Sequence, residues 1–488
     1  MTSTEPNEDP SARQPDRPGD EPGDPARMSP FEAVMWDLER DPQMSAAFAN
    51  LTVLDRPPER ERLRARLEEA CEAVPRLRRR VVPAPARLAP PEWRDDPDFD
   101  LDRHLRFVDL GGDADGRALR DLVAELIAEP LDPRRPLWEF VVVEGLADGR
   151  AAMLQRLHHS ITDGEGGIRM SVAFLDLERH PPARADGGTA ARRDPGGATP
   201  GHWTTRAVGA ALHAARSGAG ALTGALGAAG SVARHPDQLP GRVGDVVGVA
   251  RVLASPLAAG RHRSPLWTAR STDRWFGTTE LDLEQVRAAA HTLGGSVNDL
   301  FVAGAAAAAG AYHRRAGSPV PELRVAVPVS TRHGRGAASN AFAPAHAVVP
   351  TGELTPVDRV RAVRVAMDTV KAQRSLGAAE LAASAVRLLP PPVIVRAGRL
   401  ATGAVDFVCS NVRAAPFDLY LGGALIEANY PVGPLAGTAF NLTTMSYRGT
   451  LFLGLTVDRA AVGDPPGLLA DLEDAYLDLL RAGGVVVS

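Results

Sequence analysis

Residues 156–167 read RLHHSITDGEGG. His158 and His159 stand side by side, Asp163 follows four residues after the second, and Gly164, Gly166 and Gly167 come close behind. Three kinds of chemistry use such residues. Imidazoles can hold a metal ion, but neighbours on an extended strand point to opposite faces. The helical H-E-x-x-H spacing is missing and no cysteine is near, so metal ligation is not expected here. A histidine can instead be a packed structural group, and opposite projection gives that part to one member of the pair. The other member would face whatever lies beyond the strand end. A third reading is general base catalysis, in which a neutral imidazole takes a proton from a hydroxyl near neutral pH. Asp163 stands where a helix would start, so its carboxylate can cap backbone N–H groups or pair with an arginine. The glycines let backbone approach a ligand closely. No Gly-x-Ser-x-Gly elbow accompanies the pair. Direct attack by a substrate alcohol is therefore more economical than a covalent serine intermediate.

The elements around the motif follow from periodicity. In PLWEFVVVEGLADGRAAMLQRLHH two β-type runs flank the turn Ala147-Asp148-Gly149, which predicts a strand pair whose second member ends at the histidines. IRMSVAFLDL then reads as a buried helix, so the motif sits at a strand-to-helix junction. Upstream, Ser29, Pro30 and Glu32 make a capping box with proline at the first helical position. Leu63, Leu67, Ala70, Cys71 and Val74 form one face of a second helix. Leu119, Leu122, Val123, Leu126 and Ile127 form one face of a third. Downstream, DLEQVRAAAHTLG and SVNDLFVAGAAAAAGAYHRR read as helices, the second built of small residues that must pack closely. ELRVAVPVS alternates as a strand. Thr355 and Pro356 open another helix, and TAFNLTTMSYRGTLFLGLTVD reads as paired strands turning at Arg448-Gly449. This mixed order in two halves predicts a two-domain α/β or α+β protein with a cleft.

Composition sets the outer bounds. The chain has 488 residues, of which 44% are apolar and 24% charged, ordinary globular usage. Fifty-five basic against 60 acidic residues give a formal charge of −5, which argues against nucleic acid as a bulk partner. Residues 1–27, with six prolines, seven acids and three arginines, are expected to be a disordered tail. Ordered N-terminal and C-terminal domains are expected over 28–178 and 264–488, joined by an Ala/Gly/Pro-rich linker with weak helices over 179–263. Only Cys71 and Cys409 occur, which fits a reducing cytoplasm rather than a disulfide framework. Neither an apolar signal-peptide core nor a run of strongly apolar residues long enough to span a bilayer is visible, so any membrane contact should be peripheral.

HHSITDG fits H-H-x-x-x-D-G, the signature shared by coenzyme-A-dependent acyltransferases and peptide-synthetase condensation domains. Further blocks occur in order: MSPFEAVMW, PRLRRRVV followed by FDLDRH, PLDPRRPLWEFVVVEGL, SVNDLFVAG, RVAVPVSTR, SNVRAAPFDLYLGGALI and FNLTTMSYRGTLFLGLTVD. Together they resemble the bacterial wax ester synthase/diacylglycerol acyltransferase family from about residue 28 to the end. The resemblance implies a mixed α/β fold of two chloramphenicol-acetyltransferase-like domains with a channel between them. Acyl-CoA would enter as co-substrate from one side and an apolar alcohol from the other. His159 would be the base and His158 its support. Asp163 would hold the loop, and Gly164 would leave room for the thioester. Pro136, Leu137 and Trp138, with Glu139, match a further family block, as do Asn298 and Asp299; these would border the substrates. Trp138 is equally a core filler, and Asn298 equally a helix cap. Two departures bear on acceptor or acyl preference. Asn411-Val412-Arg413-Ala414-Ala415-Pro416 stands where the family has N-V-P-G-P, and Asp41-Pro42-Gln43-Met44-Ser45 stands near its proline-methionine-histidine.

The implied reaction moves a long-chain acyl group from acyl-CoA to diacylglycerol or to a fatty alcohol. No metal or other cofactor enters it. The place implied is the cytoplasm, peripherally on the inner membrane face or on lipid droplets; oligomeric state is left open. Two other readings stand beside it. One is a superfamily acyltransferase using another acceptor or a carrier-protein thioester. The other is a non-catalytic protein of lipid surfaces.

Overall fold

A computed structural model describes residues 27–85, 89–162, 173–181, 263–330, 342–372 and 389–486, together with Gly167, Met170, Ser171 and Val386. The expected tail apart from Arg27, nearly all of the expected linker, and Asp163 and Gly164 lie outside the described residues.

The N-terminal half begins with α1 (Pro30–Leu38). Ser29 Oγ accepts the Glu32 N–H at 3.2 Å and the Glu32 carboxylate accepts the Ser29 N–H at 2.8 Å, so the capping box forms. β1 (Ala47–Leu54) follows a short turn. α2 (Arg60–Ala73) buries Leu63, Leu67, Ala70 and Cys71, while Val74 is half-buried. β2 (Arg79–Val82) and β3 (Glu92–Asp95) make a small two-stranded sheet. β4 (Leu105–Ala114) leads to α3 (Gly116–Ala128), which buries Leu119, Val123 and Leu126. β5 (Trp138–Leu146) and β6 (Ala151–His158) pair antiparallel around the Ala147–Gly149 turn, where Asp148 takes φ 60°. All eight residues of β6 are buried. Of the stretch 168–177 read as a helix, Met170 and Ser171 are helical, but 173–177 are not: Ala173 and Phe174 form a turn and Asp176 bridges to Tyr420, a pairing that draws the chain off the helical path.

The C-terminal half runs β7 (Arg274–Asp282), α4 (Leu283–Thr292), α5 (Val297–Arg315), β8 (Glu322–Ser330), β9 (Phe342–Pro350), α6 (Pro356–Ala372) and α7 (Pro391–Thr402). It continues with β10 (Phe407–Arg413), β11 (Tyr420–Leu421), β12 (Ala424–Val432), β13 (Phe440–Tyr447), β14 (Thr450–Asp458) and α8 (Pro465–Ala482). The small-residue helix α5 packs as closely as its sequence demands. A Cβ on Gly304 would stand 2.2 Å from the Tyr476 ring of α8, whose hydroxyl donates to Phe301 O at 2.8 Å. β13 and β14 turn at Arg448 (φ 49°) and Gly449 (φ 83°), the left-handed pair a two-residue hairpin needs.

Two six-stranded sheets result, ordered β11-β12-β1-β6-β5-β4 and β7-β14-β13-β10-β8-β9. The first is not made from the first half alone. β12 pairs antiparallel with β1 from Ala49↔Val432 to Leu54↔Ile426 and so inserts C-terminal chain into the N-terminal sheet. β6, which ends at His158 with His159 next in the chain, lies between β1 and β5 in the middle of that sheet, where ladder hydrogen bonds fix it on both sides. The chain beyond the motif is tied back at Asp176. It exchanges backbone hydrogen bonds with Tyr420, both 2.9 Å, while its carboxylate meets Arg62 at 2.7 Å and Arg66 at 2.8 Å.

Candidate active site

The adjacent histidines face opposite ways and meet opposite environments. His158 is 1% exposed. Its Nδ1 accepts the Ser160 N–H at 3.0 Å and lies 2.6 Å from Ser160 Oγ, so the ring proton sits on Nε2, which donates to Glu39 Oε1 at 2.9 Å. Both ring nitrogens are thus engaged within the protein. His159 is half-buried, and its ring packs on Phe48 of β1 with centroids 4.5 Å apart and planes at 36°. Its backbone N–H donates to Ala46 O at 3.2 Å. His158 is thus the enclosed, internally bonded member of the pair and His159 the partly open one.

Glu39 is the residue that sequence reasoning missed. It lies just past the end of α1, and Oε1 also accepts the Ala46 N–H. One carboxylate oxygen therefore braces His158 through its ring and His159 through the Ala46 peptide. Burial works against its charge. The hydrogen bond from His158 and the donors of Ala46 and Ser45 outweigh that cost and hold the carboxyl below the ordinary glutamate range. Arg76 is a second omission. Its guanidinium donates to Ser160 O at 2.9 Å and Ile161 O at 3.2 Å, and to Glu32 at 2.7 Å. The glutamate of the capping box thus also holds the arginine that pins the motif loop.

The other residues singled out are placed as follows. Pro136, Leu137 and Trp138 are buried behind the motif. Leu137 O accepts the His158 N–H at 3.0 Å. The Trp138 indole donates to Leu77 O at 2.8 Å and stacks on His104 at 4.5 Å. They hold the end of β6 from the core side. Asp299 is 3% exposed and closes a capping box at the start of α5, accepting from Ser296 N at 2.8 Å and Ser296 Oγ at 2.7 Å. Asn298 beside it is half-buried. Among the described residues no hydrogen bond joins either to the histidines; α5 belongs to the helices packed on the second sheet. Arg413 is exposed at the end of β10.

A cleft of about 700 Å³, including its open mouth, runs between the halves. Glu39, Ala47, Phe48 and Arg156 line it from the N-terminal side, and Arg274 and Thr456 from the other. Val432 to Ala436 cross it where β12 leaves the first sheet. Phe48, which lines the cleft, is also the ring that packs on His159.

Paired mixed sheets, a strand exchanged between halves and the His-His motif at the end of a central strand define an acyltransferase fold of the chloramphenicol-acetyltransferase type. The wax ester synthase/diacylglycerol acyltransferase catalytic domain matches residues 28–301 and the corresponding C-terminal domain matches residues 338–480. The chain belongs to that family and is an acyltransferase. It is 34% identical over 459 residues to a Mycobacterium tuberculosis protein provisionally named a diacylglycerol O-acyltransferase, with 94% of this chain and 92% of the relative covered. A second protein of that organism, similarly named, is 29% identical over 431 residues, covering 86% and 88%. Among solved structures, the wax ester synthase/diacylglycerol acyltransferase of Marinobacter aquaeolei VT8 aligns with TM-score 0.63 at 21% identity over 94% of this chain and all of that one. The starter condensation domain of rhizomide synthetase, solved as a variant with C8-CoA, aligns with TM-score 0.57 at 16% identity over 94% and 95%.

Proposed function

We propose that the protein transfers a long-chain acyl group from acyl-CoA to an alcohol. The acceptor is diacylglycerol, giving triacylglycerol, or a fatty alcohol, giving a wax ester. His159 removes the hydroxyl proton as the oxygen attacks the thioester carbonyl. The tetrahedral oxyanion takes donors from backbone N–H near Gly164 and from Asn298. It collapses with cleavage of the C–S bond, and His159 returns its proton to the departing thiolate. Ester and free coenzyme A are the products. Asp163 holds the loop, and no metal or other cofactor takes part in the step. The observation that carries this reading is the inequality of the two rings. His158 has both nitrogens committed inside the protein, so the base role falls to half-buried His159. The names of the mycobacterial relatives and of the Marinobacter enzyme support the acceptor class, and the condensation domain solved with C8-CoA supports the donor.

Such substrates and products are insoluble in water, so the enzyme works at a lipid surface that it binds peripherally. No helix among the described residues is long and apolar enough to cross a membrane. The deciding experiment measures free thiol release from a long-chain acyl-CoA with diacylglycerol, a fatty alcohol and unrelated alcohols. Transfer to either of the first two is expected. Turnover only with a carrier-protein thioester, or only with polar acceptors, would refute the assignment.

A further inference from the structure

The helix α7 (Pro391–Thr402) has two unlike faces. Ile394, Gly398 and Thr402 recur four residues apart and turn inward. Ile394 is 1% exposed. A Cβ on Gly398 would stand 2.6 Å from Leu38 of α1 and 3.4 Å from Met44, so this glycine lets α7 lie close against α1 and the short turn Pro42–Met44. Thr402 Oγ1 donates to Gly398 O at 3.1 Å and lies 3.6 Å from Met44 Sδ. Arg399 closes the contact from the side through an ion pair with Asp41. Pro42 and Gln43 of that turn, and Ser45 just past it, line the cleft. The inner face of α7 is therefore seated on the wall of the cleft.

The outer face is largely apolar and uncovered. Val393, Arg396, Ala397 and Leu400 follow i, i+3, i+4, i+7, and all four are exposed. Val393 is 45% and Leu400 53% exposed, and Leu389, just before the helix, is 40% exposed. Scattered apolar side chains on a surface need no explanation, but a row along one helix face does. The charge of the helix says what kind of surface fits it. α7 has two arginines and no acidic residue, in a chain whose formal charge is −5. Arg396 stands within the row and has no ion-pair partner among the described residues. Arg399 flanks the row and stays exposed beside its bond to Asp41. An arginine can lay its stem on apolar surface and hold its guanidinium at the polar edge. Such a face suits the boundary between acyl chains and anionic headgroups. Twelve residues are too few to span a bilayer, which takes about 20, so the helix would lie flat.

We propose that the outer face of α7, with Leu389, docks on an anionic lipid surface and sets the cleft against the phase that holds the acceptor. This rests on the acyl-transfer reading above, in which diacylglycerol or a fatty alcohol is dissolved in lipid rather than in water. Val393 and Leu400 meet the lipid, while Gly398 and Thr402 meet the cleft wall, one helix diameter away, roughly 10 Å. An acceptor then leaves the lipid beside the site that consumes it and need not cross water.

The test is co-sedimentation of the full chain with phosphatidylcholine vesicles, with and without phosphatidylglycerol, free of substrate. Wild-type protein is expected to sediment with the anionic vesicles. Val393→Ser with Leu400→Ser should weaken that partition by roughly tenfold or more, since binding scales with buried apolar area. Arg396→Gln should weaken it about fivefold on anionic vesicles and leave neutral ones unaffected, the usual effect of one cation near such a surface. Leu389→Ser lies outside the helix and keeps the inference decidable if the double variant misfolds. With acyl-CoA as donor, kcat/KM for vesicle-borne diacylglycerol should fall with the partition, while kcat/KM for a water-soluble short-chain alcohol stays at the wild-type value. Wild-type protein that ignores anionic vesicles, or variants that bind them equally well, would overturn the inference. So would a wild-type dimer that the double variant separates, which would give the face to a second copy of the chain. A fall with both acceptors at an unchanged melting temperature would overturn it too, by placing the face on the substrate path. Absence of turnover with any alcohol would sink the transfer reading instead, and sedimentation would still decide the docking face.

Discussion

His158 and His159 share a chemical type and differ in everything around it, so removing each should fail differently. His158→Ala removes the ring N–H that donates to Glu39 Oε1 and empties a fully buried site. A loss of about 1–3 kcal/mol, the usual effect of orphaning a buried polar group, is expected; calorimetry or chemical denaturation would measure it. His159→Ala should keep the melting temperature within a degree or two and lower acyl transfer by about 10²–10⁴, the range of general acid–base catalysis. Wild-type turnover in that variant would end the base assignment. Glu39 adds a pH dependence. Its folded pKa lies below the ordinary 4.5, so the stability it confers is fully present above that value and is lost as pH falls through the depressed one. The gap in melting temperature between wild type and Glu39→Gln should be constant from pH 5 to 7 and shrink below about pH 4.5. A gap that grows on acidification would contradict the sign. Much of this site was legible, because strand parity alone demands that neighbouring histidines diverge. Their supports were not. Glu39 lies 119 residues before His158 and Arg76 84 before Ser160, and no local spacing links residues so far apart.

Helix starts and hairpin turns, whose signals are local, were legible in the sequence, whereas the helix expected over 168–177 stops short because Asp176 pairs with distant Tyr420. Ser29 with Glu32 and Thr355 with Pro356 mark helix starts, and the Arg448-Gly449 turn marks a hairpin, because each needs residues only a few positions apart. Close approaches between distant elements leave no such trace. Gly454 of β14 is the clearest case. A Cβ there would lie 1.9 Å from Pro431 O of β12, a backbone atom of the other sheet that cannot swing aside. The two sheets touch at this point because the residue is glycine. Gly454→Ala should therefore destabilise the protein by about 1–3 kcal/mol, the cost of overpacking. It should also alter substrate KM, since Val432 at the end of β12 and Gly433 just past it line the cleft. Gly463→Ala is the matched control, having open space around its would-be Cβ and no positive φ. Equal melting temperatures for the two variants would show that the sheets can part without cost.

At the scale of the whole molecule the exchange of β11 and β12 decides how the halves depend on one another. Periodicity marked two mixed halves, and both sheets exist. The sequence carries no sign that 420–432 leave their own half, because the pairing they make spans nearly the whole chain; Asn50 and Asn429 are 379 residues apart. The physical consequence is an edge. Without β12, β1 would present the open backbone groups of Ala49 to Leu54 along a mostly apolar strand, the pattern that invites sheet-to-sheet aggregation. Tyr430 adds a bond from β12 to Glu280 of β7, so the same strand is tied to both sheets. A fragment of residues 28–178 expressed alone should therefore aggregate or lack a fixed sheet, and co-expression with residues 264–488 should rescue it. Full-length protein should melt in one cooperative transition. Hydrogen exchange of the β1 amides makes the test sharp. Protection comparable to that of β5 is expected in the full chain and none in the fragment. A monomeric fragment with protected β1 amides would mean that the N-terminal half folds without its borrowed strand.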